Sequence, residues 1–103
     1  MTIEMDVLND KDLCAKAIDF TGLLSKGQKE ILKYLLLFDY DRGVTSDTIQ
    51  KKAGLTRQAI AIQLSKLMDL EFITRKKSRV YVYFINLKQL HNIVEDYNIA
   101  NNT

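Results

Sequence analysis

One cysteine and one histidine are all that this 103-residue chain has of either type, and the scarcity excludes several kinds of chemistry. Cys14 has no partner for an internal disulfide, and Cys14 with His91 is too small a set for a closed zinc site within one chain. A cysteine nucleophile wants a nearby base, and the only imidazole lies 77 positions away between Leu90 and Asn92, with no motif around it. The four glycines, at 22, 27, 43 and 54, stand singly, so there is no glycine-rich loop to cradle a phosphate. The expectation is a non-enzyme without metal or cofactor. Long apolar runs are missing as well: the longest, Val80 to Ile85, is six residues against the roughly 20 of a membrane-spanning helix. The opening MTIEMDVLND is acidic and lacks the positive and apolar regions of a secretory signal, which points to the cytoplasm and away from membranes.

What remains is a composition that folds. Hydrophobic residues at 47% and charged residues at 27% are ordinary for a soluble domain, and the length suits one core, so residues 1–103 are expected to form a single domain. The net charge of +2 conceals a segregation. Residues 1–41 carry 5 basic and 8 acidic side chains, residues 42–88 carry 10 and 3, and residues 89–103 carry 0 and 2. A middle segment at +7 between acidic ends fits a module that meets a polyanion, although a solvated face would carry the same charges.

The hydrophobic periods supply the order of elements. Leu13, Ala17, Ile18 and Phe20 recur at helical spacing, with Asp10 placed to cap and Gly22 to end a first helix over residues 10–20. Ser25 and Gln28 have capping-box spacing and open a helix over residues 26–38 that carries Ile31, Leu32, Leu35, Leu36 and Phe38. Asp39, Asp41, Arg42 and Gly43 break it; Thr45 or Ser46 then caps a short helix burying Ile49 and Ala53, which Gly54 closes. Thr56 caps the next helix, whose Ile60, Leu64 and Leu67 form one buried stripe. After Leu70 the period falls to two, and FITRKKSRVYVYFI reads as a β-hairpin joined at Lys77 and Ser78, with Tyr83 a packing residue. A closing helix over residues 87–97 bears Leu87, Leu90, Val94 and Tyr97, and the tail Asn101, Asn102 and Thr103 should fray.

Over residues 25–86 this pattern resembles a winged helix-turn-helix, mainly α with a β-hairpin wing, of the kind found in small MarR-like and ArsR-like repressors. The matching residues are Ile49 and Ala53, the turn Gly54-Leu55-Thr56, the stripe Ile60, Leu64 and Leu67, and Phe72-Ile73 at the start of the wing. Gly54 suits a left-handed helix end, Leu55 is placed to fill the corner between helices, and Thr56 restarts the chain. Three features depart from the pattern: Glu71 stands where relatives carry glycine before the wing, Gln50 where a small residue is commoner, and the wing has no glycine. The paired-cysteine metal motif of ArsR-like repressors is absent too.

The resemblance implies that the helix after Thr56 enters the major groove of double-stranded DNA. Thr56, Arg57, Gln58, Ala61, Ile62, Ser65 and Lys66 are then its contact set: Arg57 can bond guanine, Gln58 suits adenine, and Ala61 with Ile62 offers apolar contact to thymine methyls. Lys51, Lys52 and Lys66 would position the helix on phosphates. Arg75, Lys76, Lys77 and Arg79 crowd the wing without an acidic neighbour, a repulsion that a phosphate contact relieves, with Tyr81 a weaker member of that set. In small dimeric relatives the flanking helices form the subunit contact, which makes Leu13, Ala17, Phe20, Leu90, Val94 and Tyr97 the expected homodimer interface; folding back on their own domain is the alternative. The function so implied is sequence-specific binding by a small transcriptional regulator, a repressor by occupancy. The other reading of the same fold is a protein-docking module within a replication, partition or transcription assembly.

Overall fold

A computed structural model describes residues 5–102; Met1 to Glu4, part of the acidic opening, and Thr103, for which fraying was expected, lie outside them. The first element is one that the sequence pattern did not announce, a short helix α1 (Met5–Asn9). Asp10 follows and caps α2 (Lys11–Phe20), its carboxylate accepting from the Leu13 N–H at 3.1 Å. Ser25 and Gln28 complete both bonds of a capping box at the start of α3 (Lys26–Leu35). That helix stops at Leu35 rather than continuing to 38, because Leu37 and Phe38 donate to Tyr34 and Leu35, three residues back. The tight turn frees the Leu36 and Phe38 carbonyls, and Lys11 Nζ satisfies both, at 2.8 and 3.2 Å.

Gly43 turns the chain into β1 (Val44–Thr45) with φ of 72°, where a Cβ would collide with Val82 and Phe84. Thr45, not Ser46, caps α4 (Ser46–Ala53); Gly54 ends it at φ 67°, and Thr56 caps α5 (Arg57–Asp69). Within the turn two expectations are corrected. Ala53 is exposed, because the eight-residue α4 buries only Ile49. Leu55, 38% exposed, does not fill the corner; with Tyr34, Leu37 and Ile49 it walls a half-open groove of about 430 Å³ between α3 and α4.

Glu71 resolves the missing glycine directly. It adopts φ of 64° itself, while Glu71 and Phe72 donate to the Met68 and Leu67 carbonyls, so the chain leaves α5 through a left-handed residue at a cost of about 1 to 2 kcal/mol. The wing follows as β2 (Ile73–Lys77) and β3 (Tyr81–Ile85), antiparallel in register from Ile73 opposite Ile85 to Lys77 opposite Tyr81. Its connection is Ser78, Arg79 and Val80, with Lys77 still in the strand, so the joint is one residue longer than expected. β1 adds to the far side of β3, giving a sheet ordered β1-β3-β2 that the sequence pattern had shown as a hairpin alone.

The last helix, α6 (Leu87–Asn101), runs four residues beyond expectation and takes in Asn101 of the tail. It packs against α2, and this removes half of the expected dimer contact. Ala17, Leu90 and Val94 are enclosed by the chain's own core, where no partner can reach them, and Leu13 and Tyr97 are half-buried. Phe20 alone of the six is largely free, 52% exposed, edge to face with Tyr97 at 5.6 Å. The physical reason is mutual: α2 and α6 each carry an apolar stripe too large to leave in water, and each is the nearest cover for the other. Cys14, His91 and Tyr83 are buried, as ordinary packing residues are.

Candidate nucleic-acid interface

α5 sorts its residues by period. Ile60, Leu64 and Leu67 face the core, while Arg57, Gln58, Ala61 and Ser65 are exposed on the side away from it, and Ile62 is 55% exposed among them. More than half of this isoleucine is left in water, and covering it against a thymine methyl would be favourable. Thr56 is exposed as well; its hydroxyl oxygen accepts from the Ala59 N–H at 3.1 Å, which uses one of its two lone pairs and leaves the proton and the other lone pair for an outside partner. Lys66 lies nine positions after Arg57, about 14 Å along the axis, at the edge of this face. The start of the helix adds its own partial positive charge and unused amides.

Around the helix the cations are displayed rather than neutralised. Lys51 and Lys52 occupy the last exposed turn of α4, Lys52 with its ammonium 5.9 Å from the Tyr34 ring. On the wing Arg75, Lys76, Lys77 and Arg79 are all exposed. The repulsion expected among them is partly relieved within the protein by aromatic faces instead of acids: Arg75 and Lys77 lie 4.1 and 5.3 Å from the Tyr81 ring, and Lys76 lies 5.6 Å from Phe84. Among the described residues carboxylates approach Lys33, from Asp19 at 2.9 Å, and the His91 ring, from Glu95 at 3.6 Å, so none of these α4, α5 and wing cations is held by a carboxylate. Such a surface can take up phosphates without first breaking an internal bond.

Reasoning from the sequence missed Gln63, which is half-buried on α5 and accepts from Gln28 Nε2 at 3.2 Å. No local signal marks it, since its partner stands 35 positions away. A second polar cluster lies under α1. Tyr40 donates its hydroxyl to the Leu8 carbonyl, Cys14 Sγ sits 3.6 Å from the same oxygen, and Lys11 Nζ is 3.8 Å from the Tyr40 ring. Burial pushes the Cys14 thiol and the Tyr40 phenol up and the Lys11 ammonium down, so the thiol is held in its unreactive protonated form. Among the described residues no group of three or more His, Cys, Asp or Glu side chains is placed to hold a metal, and no helix is long and apolar enough to cross a membrane.

Solved structures share this arrangement. A protein of Methanosarcina mazei Go1 described as a possible transcriptional regulator is 23% identical, with a TM-score of 0.59 over 87% of this chain and 77% of its own. A MarR family transcription regulator is 18% identical, with a TM-score of 0.58 over 94% of this chain and 66% of its own. A protein of Mycobacterium tuberculosis is 14% identical, with a TM-score of 0.56 over all of this chain and 83% of its own. No protein-family model matches the chain, and no curated protein does. The chain therefore has the winged helix-turn-helix fold of MarR-type transcriptional regulators, with a flanking helical layer.

Proposed function

We propose that this protein is a homodimeric transcriptional regulator that binds double-stranded DNA sequence-specifically and represses by occupying its site. The observation that carries the reading is the exposed face of α5, polar at Arg57, Gln58 and Ser65 and apolar at Ala61 and Ile62, beside α4 and wing cations that hold no ion pair among the described residues. In this reading Thr56, Arg57, Gln58, Ala61, Ile62 and Ser65 meet the major groove. Lys51, Lys52 and Lys66 hold phosphates, and the wing grips the neighbouring backbone. No catalytic step or cofactor enters, and the protein works in the cytoplasm, on the nucleoid where the host is bacterial or archaeal. A single module covers only about 600 to 1,000 Å² of DNA, so selectivity calls for two copies on a palindrome. The surface for pairing is what α2 and α6 leave uncovered: Phe20, Leu23, Tyr97 and Ile99, of which Phe20, Leu23 and Ile99 are more than half exposed.

The test is discrimination. Arg57→Ala or Gln58→Ala should cost roughly 1 to 3 kcal/mol on the preferred duplex and less on random duplex, because a base contact discriminates and a phosphate contact does not. Competition binding against duplexes selected from a randomised pool measures both numbers. Equal losses on the two would demote these residues to positioning, and a wild-type chain with no preferred duplex would favour the protein-docking module.

A further inference from the structure

Gln28 is a buried amide, 7% exposed, with both ends in use. Its Oε1 accepts from the Ser25 backbone N–H at 2.9 Å, and its Nε2 donates to Gln63 Oε1 at 3.2 Å. The ends are not interchangeable. Turning the amide over would set its NH2 against the Ser25 N–H, donor against donor, so the cap of α3 dictates that the nitrogen faces α5. Gln63 must then present its oxygen. It stands half-buried at the margin of the Ile60, Leu64 and Leu67 stripe and ties the body of α5 to α3, while at the far end Gln89 of α6 donates to the carbonyl of Leu70, the C-cap of α5, at 3.1 Å.

The hydrophobic drive that buries the stripe is non-directional and scales with area, so it separates small rolls of the helix less sharply than a directional contact does. A hydrogen bond is directional, so it resists both roll and slide. The tolerance matters for reading. A roll of about 10° carries a side-chain tip some 6 Å from the axis through about 1 Å, whereas a functional constellation must be held within about 0.5 Å.

We propose that Gln28 and Gln63 are a positioning pair: the Ser25 backbone N–H that orients Gln28, through these two amides, sets the roll of α5 and so determines sequence discrimination without either side chain touching a base. The proposal rests on α5 being the DNA-reading helix and deepens that reading.

Four proteins test it: the wild type, Gln63→Leu, Gln63→Glu and Ser25→Ala. Gln63→Leu keeps the volume and the Ser25 to Gln28 bond but removes the acceptor that faces α3. Gln63→Glu restores an acceptor. Ser25→Ala weakens the cap of α3 while leaving the pair intact, and so controls for stability alone. A preferred duplex is selected with the wild type from a randomised pool, and the ratio of Kd between single-base variants and that duplex is measured beside the melting temperature. Gln63→Leu should lower the ratio about tenfold, the size of one good base contact, with helical circular dichroism retained. Gln63→Glu should keep the ratio within about twofold while its charge weakens all duplexes alike. Ser25→Ala should lower the melting temperature and leave the ratio unchanged. If Gln63→Leu misfolds, Gln63→Ala, which cannot overpack, decides in its place. An unchanged ratio in the variant without an acceptor overturns the proposal, as does an equal loss in Ser25→Ala. A wild type that prefers no duplex overturns the DNA-reading function itself, and the two failures are thereby told apart.

Discussion

α5 and α6 are the two longest helices, both amphipathic, and both carry a stripe that reaches zero to 2% exposure at its centre, yet their other faces differ in kind. α5 turns Arg57, Gln58, Ile62 and Lys66 outward. α6 turns Glu95 and Asp96 outward, and after Lys88 it has no cation at all. The difference teaches that an apolar stripe says only that a helix is covered. What covers it, and what the helix is for, is written on the remaining face. For α6 that face is acidic and the stripe is consumed by α2; for α5 it is basic at Arg57 and Lys66, with the one acid Asp69 at its end.

The largest effect expected from this contrast is on stability. Val94→Asp places a carboxylate at a fully enclosed position of α6 and should destabilise the fold by roughly 3 to 5 kcal/mol, much of what a small domain has, whereas Ile62→Asp on exposed α5 surface should leave the melting temperature nearly unchanged while abolishing DNA binding. Thermal melts of the two variants side by side check it; a stable Val94→Asp protein would return that stripe to an interface between copies.

Next in size is the electrostatic half of the comparison. Neutralising Lys76, Lys77 and Arg79 together should reduce the slope of log affinity against log salt by about 2 to 3, since each phosphate contact contributes about 0.9, while removing Lys88 from α6 should leave the slope where it was. An identical slope after the triple change would take the wing out of the interface.

Phe20→Glu sharpens the account of α6. Because Phe20 is the exposed member of its edge-to-face pair with Tyr97, the variant should fold, sediment as a monomer and lose selective DNA binding more than non-specific binding. Sedimentation showing an unaltered dimer would move the subunit contact elsewhere. The smallest effect belongs to the hinge after α5: Glu71→Gly relieves the left-handed strain but adds chain entropy, for a net gain of under about 1 kcal/mol, readable as a small upward shift of the denaturation midpoint.

Much of this arrangement was determined by the sequence alone, and for one reason: the features concerned are local. Asp10, Ser25 and Thr56 cap helices because each side chain satisfies an amide three residues away. Gly54 turns left-handed because nothing but its own missing Cβ has to agree. The 3.6 and 2.0 periods of α5 and the wing, and the basic middle of the chain, are likewise properties of short stretches. Tertiary structure decided whatever depends on a distant partner. The register of β1 on β3 joins Val44 to Tyr83, the Gln28 to Gln63 bond spans 35 positions, and Lys11 ends α3 from another helix. Leu55 stays 38% exposed because no neighbour covers it, and Val94 is enclosed in the chain's own core because α2 and α6 cover each other's stripes. Burial is a relation between surfaces that the chain's path brings together, so a stripe in the sequence reports the demand for cover, and only the packed structure reports what meets it.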